Sequence, residues 1–129
     1  MNGIVVLKIA ENTLRETGRQ EFAVTCHESL PVGIVELFNY DRVDQRAEVA
    51  VFIEASHRAK GYGKAALEEL IGYCRDVLQL HQLVCDVAVD NTASRHLFES
   101  LGFAQCGLLK EWTATPYGWS DALRMQKIL

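Results

Sequence analysis

The sequence lacks several features that would point to a membrane, a secretory route or a nucleic acid. None of its apolar stretches approaches the roughly 20 residues that a membrane-spanning helix needs. The first residues have neither the basic start nor the small-residue cleavage site of a secretory signal. The 13 Lys and Arg residues are outnumbered by 17 Asp and Glu, and they form no basic stripe that would hold phosphates. We therefore expect a cytoplasmic protein that binds neither membrane nor nucleic acid.

The four cysteines, Cys26, Cys74, Cys85 and Cys106, lie far apart and include no C-x-x-C pair. Three of them sit among apolar residues, which favours buried free thiols over a redox pair. A reactive cysteine would need a nearby cation or a helix start to lower its pKa, and the spacing indicates neither. The histidines also lack metal-ligand spacing, so we predict no metal site.

The first half of the chain carries the pattern of an antiparallel meander. Runs rich in Val, Ile and Phe at 21–26 and 32–38 flank a turn at 28–31, which predicts a hairpin. A second turn is predicted over 39–45, and a third strand over 47–53.

Beyond residue 63 the apolar period changes to that of a helix with one buried face. Its apolar positions are Ala66, Leu67, Leu70, Ile71, Cys74, Val77 and Leu78. The later predicted elements are a strand over 83–89, a helix over 91–101 and strands over 103–112 and 120–128. This order predicts an α/β fold in which a mixed, mostly antiparallel sheet is flanked by helices.

Chain length limits the number of domains. A chain of 129 residues can bury one core but is too short for two ordinary domains, so we predict a single domain over 1–129. Residues 7–19 carry few apolar side chains before Gly18, which favours a short helix or an irregular arm.

The loop between the third strand and the long helix has the composition of an anion site. Gly61 and Gly63 let the backbone approach a ligand, and the helix start presents unpaired N–H groups. Arg58, Lys60 and Lys64 add positive charge where the helix dipole favours negative charge, which indicates bound phosphate groups. A solvated loop with two turn glycines is the alternative. A Walker loop is excluded, because the motif G-x-x-x-x-G-K-[ST] is absent.

Two segments resemble the signature motifs of the GCN5-related N-acetyltransferase (GNAT) family. The residues Arg58-Ala59-Lys60-Gly61-Tyr62-Gly63 match its Q/R-x-x-G-x-G/A signature. Residues 91–103 resemble its N-x-x-A-x-x-L-Y-x-x-x-G-F segment. Residues 80–91 and 117–121 look most like the spermidine and ribosomal-protein acetyltransferase branch. The resemblance runs from about Phe22 to the C-terminus.

The resemblance implies a GNAT-like acyl-CoA N-acyltransferase fold and an activity. The expected reaction moves an acetyl group from acetyl-CoA to a primary amine, which would be a polyamine, a small amine or a protein N-terminus. The alternative is a catalytically weak acetyl-CoA-binding module that acts as a sensor or scaffold. Because the family usually has more structure before the strand at 21–26, we expect a fold shortened at its N-terminus and completed by a homodimer.

The resemblance also implies which residues bind the cosubstrate. The loop and helix start would grip its pyrophosphate, and the third strand would pair with its pantetheine arm. Asn91 would contact it at the second helix, although capping alone explains an Asn there. The predicted binding residues are Val51, Phe52, Ile53, Arg58, Ala59, Lys60, Gly61, Tyr62, Gly63, Lys64, Asn91 and Ser94.

Two glutamates are candidates for the general base. A protonated amine must lose a proton before it attacks a thioester, and a carboxylate is the natural acceptor. Glu48 matches an acidic position often near the acceptor in the family, and Glu36 on the preceding strand is the second candidate. A solvent-facing role is the alternative for both. Phe98 stands where the family commonly has the tyrosine that protonates the thiolate, which predicts a slower enzyme or an inactive relative.

Three aromatic residues, Trp112, Tyr117 and Trp119, lie near the predicted C-terminal hairpin. Aromatic side chains at such positions most often fill a core. We predict that they are buried, with the lining of an acceptor pocket as the alternative.

Overall fold

A computed structural model describes residues 5–27 and 30–129. Its elements are β1 (Val6–Lys8), α1 (Leu14–Thr17), β2 (Gln20–Cys26), β3 (Leu30–Asp41), β4 (Arg46–Ile53), a 3₁₀ turn (Ala55–His57), α2 (Tyr62–Asp76), β5 (Gln82–Ala88), α3 (Thr92–Ser100), β6 (Ala104–Thr115) and β7 (Gly118–Ile128). Within the described chain the strands form one sheet of seven strands, in the order β1-β2-β3-β4-β5-β7-β6. Among these residues no helix has both the length and the apolar character that a membrane crossing requires.

The sheet confirms the predicted mixed, mostly antiparallel α/β fold. Neighbouring strands run antiparallel except β4 and β5, which are parallel. Parallel neighbours need a crossover, and α2 lies between them in sequence. The predicted turn at 28–31 falls partly outside the described residues, and Leu30 and Pro31 already belong to β3.

The core lies between α2 and one face of the sheet. On α2 the fully buried positions include Ala66, Leu67, Leu70 and Cys74, at the predicted spacing. The prediction was wrong for Val77, which is exposed. The helix ends at Asp76, and the left-handed backbone of Gln79 (φ 55°) then turns the chain toward β5.

Two predicted segments differ in detail from the structure. Over 7–19 the chain forms the one-turn helix α1, ended by Gly18 at φ 72°, but it also forms the unpredicted strand β1. A three-residue strand is too short to show an alternating pattern, and its pairing with β2 decides it. The predicted turn over 39–45 starts later, because β3 bulges at Asn39 (φ 49°) and continues to Asp41.

The C-terminal aromatic residues correct a prediction of burial. Trp112, Tyr117 and Trp119 are 56%, 99% and 67% exposed. The β6–β7 hairpin continues past the last β5–β7 pair, Ala88 with Ala122, so its outer half extends beyond the sheet. The prediction of three buried free cysteines is confirmed, and Cys106 is the exposed one among the described residues.

Candidate functional site

The sheet divides between β4 and β5, and we call this division the fork. Parallel pairing covers three positions and ends at Glu48 opposite Val84. Beyond that pair β4 continues to Ile53 and β5 to Ala88 without pairing to each other in the described structure. The β4 edge that faces the fork is therefore available to an extended ligand, which would add as an extra strand.

A cavity of about 500 Å³ opens at the fork, which is within the usual size range of ligand pockets. It is lined by all the predicted cofactor-binding residues except Lys60, which lies outside it. His57, Ala93 and Leu97 also line it and were not predicted from the sequence. Ala93 and Leu97 belong to α3, the helix that carries the second motif, and the available signal was that Leu97 stands at the Leu position of that motif.

The start of α2 forms one wall of this cavity. Among the described residues no side chain caps this helix, so its first N–H groups remain available to an anion. Gly61 precedes the helix at φ 81°, and Ala59 is also left-handed at φ 60°. An added Cβ at Gly61 would meet no atom within 4 Å, so backbone conformation is what requires glycine there. At Gly63 a Cβ would make ordinary contacts, the nearest at 3.5 Å to Leu97.

We expect the Gly61→Ala variant to lose about 1–2 kcal/mol of unfolding free energy, because alanine resists the left-handed conformation. The matched Gly63→Ala variant should keep or slightly raise stability, since alanine is the better helix former and the space allows its Cβ. Urea unfolding of both variants checks this difference. Equal loss in the two variants would contradict the assignment of strain to Gly61.

Positive charge and apolar surface meet at the end of β4. The Nε of Arg58 donates a hydrogen bond to the Ile53 carbonyl at 2.9 Å. Its guanidinium lies 5.6 Å from the centre of the Phe52 ring. Lys64, in the first turn of α2, also lines the cavity. This end of the cavity suits a ligand that carries an anionic group on an extended arm.

Asn91 occupies the start of α3 and lines the cavity. Its side-chain oxygen accepts a hydrogen bond from the Ser94 N–H at 3.1 Å, so it caps the helix. Capping accounts for this oxygen, and the predicted contact with a cofactor stays a prediction. Phe98, about two turns further along α3, is buried against Phe103, with ring centres 5.1 Å apart.

The two candidate bases lie on the sheet face opposite α2, because they alternate along their strands with buried residues. Glu48 stands at the fork, in the last residue pair of β4 with β5. Its Oε2 accepts a hydrogen bond from the Asn39 side chain at 2.6 Å. Its Oε1 forms an ion pair with Arg124 at 3.5 Å. Glu36 forms an ion pair with Arg19. Arg19 donates a side-chain hydrogen bond to Glu36, and this raises the arginine pKa.

Two charged residues at the fork were not found from the sequence. Arg124 on β7 donates two hydrogen bonds of 2.8 Å to Asp86 on β5. The pairing of β5 with β7 sets the two residues opposite each other, and no local pattern announces that pairing. Among the described residues no cluster of three or more His, Cys, Asp or Glu could hold a metal ion, and the predicted lack of a metal stays a prediction.

Comparison with known proteins assigns this chain and its fold to a family. The sequence profile of the acetyltransferase (GNAT) domain matches residues 5–104. The chain belongs to the GNAT acetyltransferase family. The resemblance inferred from the two motifs of this GNAT chain is therefore confirmed.

Known relatives include a spermidine acetyltransferase and a putative ribosomal acetyltransferase, the branch that the sequence indicated. The GNAT chain is 28% identical over 112 residues to the spermidine N(1)-acetyltransferase of Vibrio cholerae, covering 87% of this chain and 65% of that protein. It is 33% identical over 79 residues to the putative ribosomal N-acetyltransferase YdaF of Bacillus subtilis, covering 61% and 43%. The chain thus spans less than two thirds of the length of these curated relatives.

A solved structure agrees with the same assignment. The dodecameric spermidine N-acetyltransferase of Vibrio cholerae superposes with a TM-score of 0.84 at 27% identity. The match covers 90% of this GNAT chain and 68% of that chain. The shared fold thus extends well beyond the two motifs.

Proposed function

We propose that this chain is a single-domain N-acetyltransferase that transfers an acetyl group from acetyl-CoA to a primary amine. The observation that carries the proposal is the fork between β4 and β5, which opens beside the uncapped start of α2. The fork supplies a strand edge for an extended arm, and the helix start supplies N–H groups for an anion. Family membership supports the same reaction.

Acetyl-CoA supplies the acetyl group as a thioester, and the cavity residues fit its two ends. Gly61, Tyr62, Gly63 and Lys64 would hold the pyrophosphate through backbone N–H groups and the lysine charge. Arg58 adds a second cation at the cavity wall. The remaining proposed contacts to the cosubstrate are Ala59, Lys60, Asn91 and Ser94. The Lys60 contact requires its exposed side chain to reach inward, because Lys60 does not line the cavity.

The pantetheine arm would lie along the free edge of β4. Val51, Phe52 and Ile53 line the cavity on this edge, and their backbone groups would pair with the amides of the arm. A backbone N–H in the same stretch would stabilise the negative charge that develops on the carbonyl oxygen during transfer. The fork also separates this edge from β5, which leaves room for the acceptor amine to approach.

Glu48 is our choice for the general base. An amine with a pKa near 10.4 arrives protonated, and Glu48 would take its proton directly or through water. Its place at the last β4–β5 pair puts it at the fork, whereas Glu36 lies on β3, away from the β4–β5 division. One named relative is a spermidine N(1)-acetyltransferase, and the other is a putative ribosomal N-acetyltransferase. Both names fit an acceptor that carries a cationic amine.

We infer further that the protein works in the cytoplasm and forms a homodimer, without a membrane or nucleic-acid partner. The exposed Trp112 and Trp119 on the β6–β7 hairpin offer apolar surface for a second copy. The related Vibrio cholerae enzyme is itself an oligomer. Size-exclusion chromatography with light scattering measures the assembly directly.

A catalytically weak acetyl-CoA-binding module is the second candidate, and Phe98 is the observation that favours it. Its buried ring offers no hydroxyl to protonate a departing thiolate. A thiolate with a pKa near 8.5 can take a proton from water, so this lack slows the reaction without preventing it.

Release of free thiol from acetyl-CoA tests the two candidates. We expect release that depends on an added acceptor when polyamines, amino acids, aminoglycosides and N-terminal peptides are tried in turn. Binding of acetyl-CoA, followed by calorimetry on the same preparation, separates the outcomes. Binding without acceptor-dependent release would favour the module, and a lack of both would contradict the acetyl-CoA site itself.

A further inference from the structure

An ionic cluster joins β4, β5 and β7 where the fork begins. Nε of Arg124 donates to one oxygen of Asp86 at 2.8 Å, and Nη2 donates to the other oxygen at 2.8 Å. The same Nη2 lies 3.5 Å from Oε1 of Glu48. Asn39 on β3 donates to Oε2 of Glu48 at 2.6 Å. One oxygen of the proposed base is thus held from β3 and the other from β7.

The strand register explains how one guanidinium reaches two carboxylates. Asp86 pairs directly with Arg124 across β5 and β7, so the arginine is anchored by its nearest cross-strand neighbour. Glu48 lies one strand further, opposite Val84 of β5, so the Arg124 side chain crosses β5 to reach it. Arg124 therefore links Asp86 on β5 to Glu48 on β4 at the position where the pairing of β4 with β5 stops.

The cluster is partly shielded from solvent. Side-chain exposure is 17% for Glu48, 18% for Asp86 and 35% for Arg124. Partial burial weakens screening by salt, so these contacts constrain the side chains more than a surface pair would. The hydrogen bond to Asp86 raises the pKa of Arg124 by more than burial lowers it. The pKa is therefore raised overall, and the guanidinium stays charged. A bidentate Arg–carboxylate pair also fixes the plane of the guanidinium.

We propose that Arg124, anchored by Asp86, is a positioning residue that holds the Glu48 carboxylate at the fork, with Asn39 as its second support. The inference rests on the proposed function, in which Glu48 is the base. Each carboxylate oxygen has about two lone-pair sites, so one hydrogen bond on each still leaves room for the proton of the acceptor. A free glutamate side chain would spread over several rotamers, and the cluster selects one.

The alternative role for Arg124 is purely structural: its positive charge would only neutralise Asp86 and Glu48, without setting the position of the Glu48 carboxylate. A double-mutant cycle separates the two roles, because a residue that acts only through Glu48 has no effect once Glu48 is gone. The variants are Arg124→Lys, Glu48→Gln and the double variant, assayed for acceptor-dependent thiol release. Arg46→Lys is the matched control, since Arg46 lies on the same strand as Glu48 and pairs with Asp41 and Asp44.

We expect Arg124→Lys to lower kcat about 10- to 100-fold, the usual effect of a misplaced catalytic group, with the KM for acetyl-CoA within about twofold. In the Glu48→Gln background the same change should alter kcat by less than about twofold. Arg46→Lys should leave both constants unchanged. An equal loss of kcat in both backgrounds, or no loss in the wild-type background, would overturn the positioning role.

If Arg124→Lys does not fold, the Asn39→Asp variant tests the same proposal. Asn39→Asp keeps the shape and suits the left-handed backbone at this position, but it replaces the amide donor by a carboxylate. We expect a kcat loss that again disappears in the Glu48→Gln background. A Glu48→Gln enzyme with full activity would overturn this inference while acetyl transfer stands. A wild-type chain without acceptor-dependent release would instead overturn the proposed function.

Discussion

The Gly33→Ala variant is expected to unfold at lower urea concentration and to lose most of its affinity for acetyl-CoA. Gly33 on β3 pairs with Ile53 at the end of β4. An added Cβ would lie 2.2 Å from the Phe52 carbonyl oxygen and 2.9 Å from the Ile53 Cα. Both atoms belong to the backbone, so no side-chain rotation relieves the clash. The end of β4 has to move away, and it is the strand edge proposed to hold the pantetheine arm.

The size of this effect follows from overpacking against rigid atoms. Such substitutions cost about 1–3 kcal/mol of unfolding free energy, and more where the backbone itself must shift. We expect the Kd for acetyl-CoA, measured by calorimetry at a temperature where the variant is folded, to rise by at least about tenfold, since small displacements disrupt preorganised sites.

Gly72→Ala is the matched control for this substitution. Gly72 lies inside α2, and its added Cβ would meet only the Arg75 guanidinium, at 3.8 Å. Replacing a helix-interior glycine by alanine stabilises by about 0.5–1 kcal/mol, so this variant should be more stable and bind normally. If Gly33→Ala matches the wild type in both measurements, β4 does not approach β3 as closely as described.

Glu48→Gln is expected to lower kcat about 10²- to 10⁴-fold, the range for loss of a general base, while acetyl-CoA binding stays near wild type. The amide keeps the shape of the side chain but cannot take the proton from the acceptor amine. Glu48 does not line the cavity, so its replacement should lower kcat without weakening acetyl-CoA binding. Steady-state kinetics with the best acceptor and calorimetry with acetyl-CoA give the two values.

Glu36→Gln tests the second candidate base on the neighbouring strand. It removes the ion pair with Arg19, and the exposed arginine can turn to solvent. A kcat loss below about tenfold is expected, because an ion pair with an exposed partner contributes little. A larger loss than that of Glu48→Gln would reverse the two assignments.

The elements that were predicted most accurately from the sequence are those with strong local patterns. The apolar face of α2 repeats through Ala66, Leu70 and Cys74, and burial of these side chains follows from the helical period alone. The glycine loop and the α3 motif were recognised because their residues are close in sequence. The same segments supply most of the cavity lining, so local sequence patterns were enough to outline the candidate cofactor site.

The errors arise where distant segments decide the outcome. Trp112 and Trp119 were assigned to the core, but the hairpin that carries them extends past β5 into solvent. The sequence of the β6–β7 hairpin does not indicate where the neighbouring strand β5 ends. The strand β1 was missed for a related reason, since three residues acquire their structure only by pairing with β2.

The sequence by itself determined the family, the order of strands and helices from β2 onward and the loop proposed to bind an anion, because periodicity, glycine positions and motif spacing are local properties of the chain. Tertiary structure alone decided that Gly33 must be glycine and that Arg124 reaches Glu48 across β5. It also decided that the base candidate stands where two strands part. Each of these depends on strand register, which is set by long-range packing of the sheet against α2, and a one-residue shift in register would turn every one of these side chains to the other face.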